Sequence, residues 1–325
     1  MQTYEQGLLN AKAFIEEHDD FLVVSHVQPD GDAVSSTVVV GWLLSCLGKK
    51  FTLVNEGPIP KRMHYLTLSD QIIDQQEDGS ERQYQHIICV DCADFKRVGL
   101  VSNWMSDTAS ILNIDHHPTN DNYGEVNLIK ADAAATAEIL YDWIECFDVK
   151  WTKEAAEAIY TGLLTDTGGF RYSSTSPKVM EIASRLLDLG VNGPDLAETL
   201  LEEVTLPQVK VLGMALSTLQ MCEDGKIAHV HVTPEHMIIA GADNEDLEGI
   251  VNYPRNIQGV EVGIFFKVIN DTAVKASLRS AGKVNVAAVA QHFGGGGHIK
   301  AAGCRLEGTL EEVTAQVIQQ VKESL

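Results

Sequence analysis

Residues 110–120, SILNIDHHPTN, place Asp115, His116 and His117 side by side at the end of an apolar run. The apolar run predicts a buried strand. A strand of the core would not normally end in this way, because Asp is almost never fully buried unless paired and His is only an intermediate case. Two interpretations are open here: a catalytic or metal site at the end of a strand, or an irregular polar turn.

Apolar strands alternate with helices around this stretch, which is typical of βαβ units and a mostly parallel sheet. The predicted strands of the first half are residues 21–25, 50–55, 86–91 and 110–115, and its predicted helices are residues 4–17, 33–47, 133–146 and 152–164. Helices follow one another over residues 176–220. Strands are predicted again at 226–232, 260–269 and 272–280, before a helix, a glycine run and a last helix.

The pattern predicts an α/β protein. Its N-terminal domain, residues 1–190, has a mostly parallel sheet with flanking helices. A helical linker, residues 191–204, leads to a smaller, mixed α/β domain over residues 205–325.

Composition excludes some function classes. The 325 residues carry 24 Lys and Arg against 46 Asp and Glu, a net charge of −22, which argues against a large basic surface for long duplex nucleic acid. A small anionic substrate stays open, because a bound divalent metal can reverse the local sign. Residues 1–20 are amphipathic and acidic, unlike a signal peptide, and no apolar run approaches a membrane span. With six scattered cysteines, these features predict a cytoplasmic protein with reduced thiols and no membrane partner.

Carboxylates and imidazoles follow three of the predicted strands directly, so the sheet should gather them at one edge. Alone, an Asp after a strand is more often a cap or turn residue. The set is rich in carboxylates with some imidazole, which suits manganese or magnesium, or else cobalt or zinc. It exceeds what one ion can take, which favours two ions sharing a carboxylate. Its members are His26, Asp30, Asp32, Asp91, Asp94, Asp115, His116, His117 and, at the end of a helix, Asp166.

These stretches resemble the DHH phosphoesterase superfamily. HVQPDGDA (26–33), VDCAD (90–94), DHH (115–117) and TDTGGF (165–170) match its four motifs in order. ASLRS (276–280) and FGGGGHIKAAG (293–303) are similar to its DHH-associated C-terminal domain. The pairing and the compact length most resemble the bacterial group of bifunctional oligoribonucleases and adenosine 3′,5′-bisphosphate phosphatases.

The resemblance implies a role for each site residue. One manganese ion would be held by His26, Asp30 and Asp91, and the other by Asp32, Asp91, His116 and Asp166. The catalytic residues would be Asp91 as the bridge, Asp115 orienting a histidine, and His117 facing the substrate phosphate, aided by Arg171. In the second domain, substrate would be bound by Arg279, Gly294, Gly295, Gly296, Gly297 and His298. Magnesium or cobalt could replace manganese.

The implied function is a manganese-dependent hydrolase of ester bonds, acting on short oligoribonucleotides, from dinucleotides to a few nucleotides, and on 3′-phosphoadenosine 5′-phosphate. The alternatives are a linear or cyclic dinucleotide phosphodiesterase and a non-catalytic nucleotide sensor on the same scaffold. A manganese pyrophosphatase is less favoured, because that group is similar mainly in the first domain. The preferred nucleotide, the cleavage polarity and the choice between monomer and homodimer stay open.

The glycine run has two interpretations from its residues alone. Four successive glycines let a backbone approach an anion closely, with N–H groups pointing inward. The alternative is a flexible linker. For Arg279, the alternative to an anion-binding role is a solvated surface arginine.

Overall fold

The computed structural model of the protein describes residues 3–78 and 82–325. It consists of two compact units, Met1–Glu203 and Val204–Leu325. The sequence predicts residues 191–204 as a helical linker. Residues 193–202 are helical, and Leu196 and Leu200 pack in the core of the first unit. The limits of the functional domains stay a prediction.

The first unit is built on a parallel sheet. Its strands are β1 (Phe21–Val24), β2 (Phe51–Asn55), β3 (Ile72–Asp74), β4 (Tyr84–Val90), β5 (Met105–Asp115) and β6 (Val126–Ile129). Its helices are α1 (Tyr4–Glu17), α2 (Gly31–Cys46), α3 (Thr136–Ile144), α4 (Lys153–Asp166), α5 (Pro177–Asp188) and α6 (Gly193–Ala197). In the described residues the strand order is β3-β2-β1-β4-β5-β6, with every pairing parallel.

The two faces of this sheet are buried differently. The larger core lies under the helices, where Phe21 and Val23 of β1 meet the apolar side chains of α2, such as Val38. On the other face, Leu22 and Val24 pack in a smaller core against the segment 95–104. Alternation along one strand thus fills two cores, as expected for a sheet that is covered on both sides.

The second unit contains a mixed sheet. Its strands are β7 (Gln220–Cys222), β8 (Ile227–Val232), β9 (Val262–Asn270), β10 (Ala273–Ser280), β11 (Gly296–His298) and β12 (Ala301–Glu307). Its helices are α7 (Leu206–Ser217), α8 (Pro234–Ala240), α9 (Asn252–Arg255), α10 (Val286–His292) and α11 (Leu310–Lys322). The order is β11-β12-β10-β9-β8-β7, and β8 and β9 form a parallel pair among antiparallel neighbours. The predicted α/β class, with a parallel first sheet and a mixed second domain, is confirmed.

The glycine run is not a flexible linker, because part of it is a β-strand. Gly296–His298 form strand β11, which pairs with β12. A Cβ on Gly295 would lie 2.3 Å from the Gly303 carbonyl oxygen, and one on Gly297 would lie 2.5 Å from that of Ala301. These glycines are therefore required by the close approach of the two backbones, whatever they bind.

Two further expectations concern the environment of the chain. Within the described ranges, no helix combines the length and the apolar character needed to cross a membrane. The six cysteines are free, and burial raises the pKa of Cys89 to about 12.

Candidate metal centre

The candidate centre lies at the carboxyl edge of the parallel sheet. Val24 pairs with Cys89, and Cys89 pairs with Asn113. Two residues beyond these partners come His26, Asp91 and Asp115, so the three side chains leave neighbouring strands at the same level. Strand order reverses between β1 and β4, which is where open parallel sheets bind ligands. The sheet therefore brings the predicted clusters together, as its parallel register requires.

Helix α2 adds two carboxylates from its first turn. Asp30 caps the helix, since its side chain accepts a hydrogen bond from the Ala33 backbone N–H. Asp32 is fully buried and accepts hydrogen bonds from the backbone N–H groups of Thr136, at 2.6 Å, and Ala137, at 3.1 Å. These N–H groups begin α3, where the helix dipole favours a negative charge. Asp32 is thus fixed in position by the start of a neighbouring helix.

Asp91 has an unusual backbone. Its φ is 53°, in the left-handed region, where most residues are strained by about 1–2 kcal/mol and Asp is better tolerated. Its N–H donates to the Ile114 carbonyl, and its carboxylate accepts a hydrogen bond from the Thr136 hydroxyl at 3.0 Å. Backbone strain of this kind persists where the surroundings fix it, often at functional sites. The strand end therefore turns Asp91 towards its neighbours instead of continuing the strand.

Within the described residues, three groups of donor atoms could each hold a metal ion. They are His26, Asp30 and Asp91; Asp32, His116 and Asp166; and Asp91, His116 and His117. The atoms of each group lie within 4.8 Å of one another. Asp91 lies between the first two groups: one oxygen is 3.6 Å from His26 Nε2 and the other is 3.6 Å from His116 Nε2. His116 Nε2 is 3.4 Å from Asp166.

The donor set fits a divalent cation. The separations of 3.4–3.8 Å between these imidazole and carboxylate atoms exceed the roughly 2.7–3.2 Å of a good N–H···O hydrogen bond. Burial, followed by the charges of Asp91 and Asp30, raises the pKa of Asp32. Burial and the charge of Asp32 likewise raise the pKa of Asp166. Carboxylates gathered in this way repel one another, and a cation among them removes that cost.

The histidines are oriented through their other ring nitrogens. His26 Nδ1 lies 2.9 Å from the Val27 carbonyl oxygen, and His116 Nδ1 lies 3.3 Å from that of Ala133. An N–H on Nδ1 leaves the lone pair on Nε2, the atom that faces the carboxylates. Backbone partners of this kind fix the tautomer of metal-binding histidines.

His117 differs from the other two histidines. Its Nδ1 is 2.7 Å from Asp115, so the ring donates to this buried carboxylate. The Asn120 amide donates to the other Asp115 oxygen, also at 2.7 Å. Burial alone would raise the pKa of Asp115, but the hydrogen bonds from His117 and Asn120 lower it. The geometry therefore suits His117 for a role other than metal binding through Nδ1.

The predicted substrate residues lie at separate places. Arg171 is exposed, and its Nε donates to the Gly168 carbonyl oxygen at 2.6 Å in the turn after α4. In the second unit, Arg279 belongs to a cross-strand row, since it pairs with Ala301 of β12 and Ala301 pairs with His298 of β11. Directly opposite residues of antiparallel strands share a face, so Arg279 and His298 flank a small alanine on one face of that sheet.

Comparison with known proteins places both units. Residues 20–163 match the N-terminal domain of the DHH family, and residues 226–324 match the DHHA1 domain. Over 331 residues the chain is 34% identical to the bifunctional oligoribonuclease and PAP phosphatase NrnA of Thermus thermophilus, covering 99% of this chain and 95% of that protein. The chain belongs to the DHH family.

Two further similarities extend over most of the chain. The protein of the same name from Bacillus subtilis is 26% identical over 295 residues, 90% of this chain and 91% of that protein. A crystal structure of an exopolyphosphatase-related protein from Bacteroides fragilis superposes with a TM-score of 0.90 at 27% identity, covering 98% of this chain and 96% of that one. The family predicted from the four motifs is confirmed.

Sequence reasoning missed the residues that support the donors. Thr136 donates a hydrogen bond to Asp91, and Asn120 donates one to Asp115. Neither residue belongs to a local sequence pattern that predicts this contact. Gly162 lies on α4, shortly before the TDTGGF motif, and its role is steric. A Cβ there would lie 2.5 Å from an Asp32 oxygen, so glycine allows α4 to pack against the start of α2.

The Asp115 hydrogen bonds give a testable exchange. In Asp115→Asn, only one oxygen is left to accept hydrogen bonds from both His117 and Asn120. The new NH2 group is itself a donor and lies against one of these two donors. We expect kcat to fall by about 10–100-fold, the usual effect of losing a group that orients a site residue. Adding Asn120→Asp restores an acceptor for that NH2 and should recover part of the loss. Steady-state kinetics and thermal unfolding of the single and double variants measure both effects. A double variant that is no more active than Asp115→Asn would contradict this arrangement.

Proposed function

We propose that this chain hydrolyses short oligoribonucleotides, from dinucleotides to a few nucleotides, and 3′-phosphoadenosine 5′-phosphate. The proposed enzyme uses two bound manganese ions and acts in the cytoplasm. The observation that carries the proposal is the position of Asp91, with one oxygen towards each of two donor groups. The names of the Thermus thermophilus and Bacillus subtilis relatives support the substrate class. Carboxylate oxygen with some imidazole favours manganese, and magnesium or cobalt are the substitutes.

The proposed metal ligands are divided between the two donor groups. His26, Asp30 and Asp91 would hold one ion, and Asp32, Asp91, His116 and Asp166 the other. Two bound ions would supply a water of lowered pKa and neutralise the charge of the phosphoryl group. The backbone N–H groups of α3 hold the Asp32 carboxylate in place, which supports the proposed ligand role.

His117 is the proposed contact to the scissile phosphate. Its bond to Asp115 fixes the plane of the ring, and Asn120 fixes Asp115 in turn. An imidazole held in this way can donate to a phosphate oxygen or give a proton to the leaving group. Arg171, in the turn that follows Asp166, is a second proposed contact to the substrate.

The second unit would bind the far end of the substrate. Arg279 and His298 lie on one face, two strands apart, with Ala301 between them. The small alanine leaves both longer side chains room to reach one anion. The glycine run would add backbone N–H groups to the same anion.

Arg279→Ala tests this division of labour. The variant should lower kcat/KM strongly for a dinucleotide and for 3′-phosphoadenosine 5′-phosphate, and much less for a nitrophenyl phosphodiester, which has no far phosphate. Arg279→Lys should not restore the loss, because lysine cannot bind a phosphate bidentately. Kinetics on the three substrates give the comparison. Equal losses on all three would mean that Arg279 serves the metal centre or the fold.

A substrate series tests the function itself. Purified protein with manganese should cleave linear dinucleotides faster than long RNA, and it should release phosphate from 3′-phosphoadenosine 5′-phosphate. Products are separated by chromatography, and a cyclic dinucleotide is included for the alternative phosphodiesterase. Cleavage of only the cyclic compound would support that alternative, and binding without any turnover would support a sensor. Faster cleavage of long strands would overturn the preference for short substrates.

A further inference from the structure

Three basic side chains stand directly opposite one another on the second sheet. Lys267 of β9 pairs with Lys275 of β10, and Lys275 pairs with Arg305 of β12. Opposite residues of antiparallel strands project from the same face. Adjacent strands lie about 4.8 Å apart, so the three charges form a row about 10 Å wide. We call these three residues the basic row.

The basic row lies on the same face as Arg279. Residues 275 and 279 are four apart on one strand, and side chains alternate between faces. Val274, Ala276 and Leu278 point to the opposite face, where they are buried in the core. Lys275 and Arg305 are exposed, and Lys267 is half-buried. On β10, the face that carries Arg279 therefore also carries Lys275, with Ser277 between them.

This arrangement has a cost for the fold. Like charges directly opposite one another across strands are destabilising. Burial and the charge of Lys275 lower the pKa of Lys267. The compensation is partial: Lys267 donates to the Asn244 side chain, and Arg305 lies 3.7 Å from Glu307. Folding alone gives no reason for a row of this kind.

The charge of the chain is distributed unevenly around the row. Residues 1–203 carry 14 Lys and Arg against 33 Asp and Glu, whereas residues 204–325 carry 10 against 13. The second unit is thus much closer to neutrality than the first, and its basic residues include an aligned set on one face. An aligned basic set is the electrostatic feature expected of a surface that meets nucleic-acid phosphates.

We propose that the basic row binds the backbone phosphates of a single-stranded oligoribonucleotide beyond the one held at Arg279. This proposal rests on the proposed function and deepens it, because it adds a contact that depends on substrate length. Arg279 and Lys275 are four residues apart, about 13 Å along an extended strand. At about 3.4 Å per stacked nucleotide, that distance spans up to about four nucleotides. A dinucleotide or a nucleoside bisphosphate is too short to contact both positions.

The test removes two exposed charges of the row and compares substrates of different length. The variant is Lys275→Gln/Arg305→Gln. The control is Lys210→Gln/Lys322→Gln, which removes the same charge from exposed positions on α7 and α11. Kinetics use a ribodinucleotide, a ribohexanucleotide and 3′-phosphoadenosine 5′-phosphate. Binding of a fluorescein-labelled hexanucleotide is measured separately, by anisotropy in chelator over a series of salt concentrations, so that it does not depend on cleavage.

The row variant should raise KM for the hexanucleotide about tenfold, as expected when one or two charged hydrogen bonds to phosphate are removed. It should change KM for the two short substrates less than about twofold. The slope of log Kd against log salt should fall by about 1.4, which is 0.7 for each phosphate that the variant no longer neutralises. Thermal stability should be unchanged or raised, because repulsion between like charges is removed.

Two outcomes would overturn the inference. One is an equal change for all three substrates, and the other is an equal loss in the control variant. If the wild type cleaves no RNA, the proposed function fails, and the anisotropy measurement still decides whether the row binds RNA. Cleavage of RNA with an unchanged salt slope in the row variant would reject the row and leave the proposed function standing.

Discussion

Replacing Asp91 should lower kcat by several orders of magnitude, because one of its oxygens faces His26 and the other faces His116. His26→Ala, which removes a ligand from one group, should cost less. The fold should survive in Asp91→Asn, since Asn tolerates the left-handed backbone found at this position. Asp91→Ala should be less stable than Asp91→Asn for the same reason, although both variants lose carboxylate repulsion. Turnover with a dinucleotide and thermal unfolding are measured together.

An exposed carboxylate serves as the control for Asp91. Asp132 has an 87% exposed side chain and belongs to none of the donor groups found in the described residues. Asp132→Ala should keep near-normal kcat. Near-normal kcat in Asp91→Asn, with the protein folded, would refute the bridging assignment.

Removal of metal should also abolish turnover. After exhaustive chelation we expect no cleavage of any substrate, and manganese should restore more activity than magnesium or cobalt. Binding to the folded state also stabilises it, by about 2.7 kcal/mol at a hundred times Kd. Manganese should therefore raise the unfolding temperature of the chelated wild type by several degrees.

The unfolding temperature separates metal binding from catalysis. Asp91→Asn should show a much smaller rise with manganese than the wild type, and Asp132→Ala should show the full rise. Full turnover after chelation would exclude the two-metal mechanism. A rise with manganese in Asp91→Asn as large as in the wild type would mean that the ion binds elsewhere.

The long elements could be predicted from sequence because their apolar patterns are local. Helix α1 is predicted over 4–17 and occupies Tyr4–Glu17. Strand β5 is predicted over 110–115 but begins at Met105. The prediction missed its first half, MSDTAS, because that half is mostly polar. Short strands such as β3 and β6 escape prediction, since they are fixed by pairing with distant residues. Strand β11 is hidden within a run of glycines, which favour no particular element.

For the candidate site, the sequence predicts the donor residues but not the residues that fix them in place. The donor residues directly follow apolar strands, so a pattern and a parallel sheet suffice to bring His26, Asp91 and Asp115 together. The groups that fix those donors are separated from them in sequence. Thr136 is 45 positions from Asp91, and Gly162 makes room for a carboxylate on another helix. Their types, an ordinary threonine and an ordinary glycine, carry no signal until the helices are packed.

The ends of the second sheet limit how copies of the protein could associate. Its outermost strands in the described residues are β7 and β11, and each has three residues. A long, flat outermost strand offers unpaired N–H and C=O groups that another chain can join, and short ones leave little to join. Continuous sheet formation between copies, and the aggregation that follows from it, is therefore disfavoured at both ends. Copies that met at these two ends would have to associate through side chains instead.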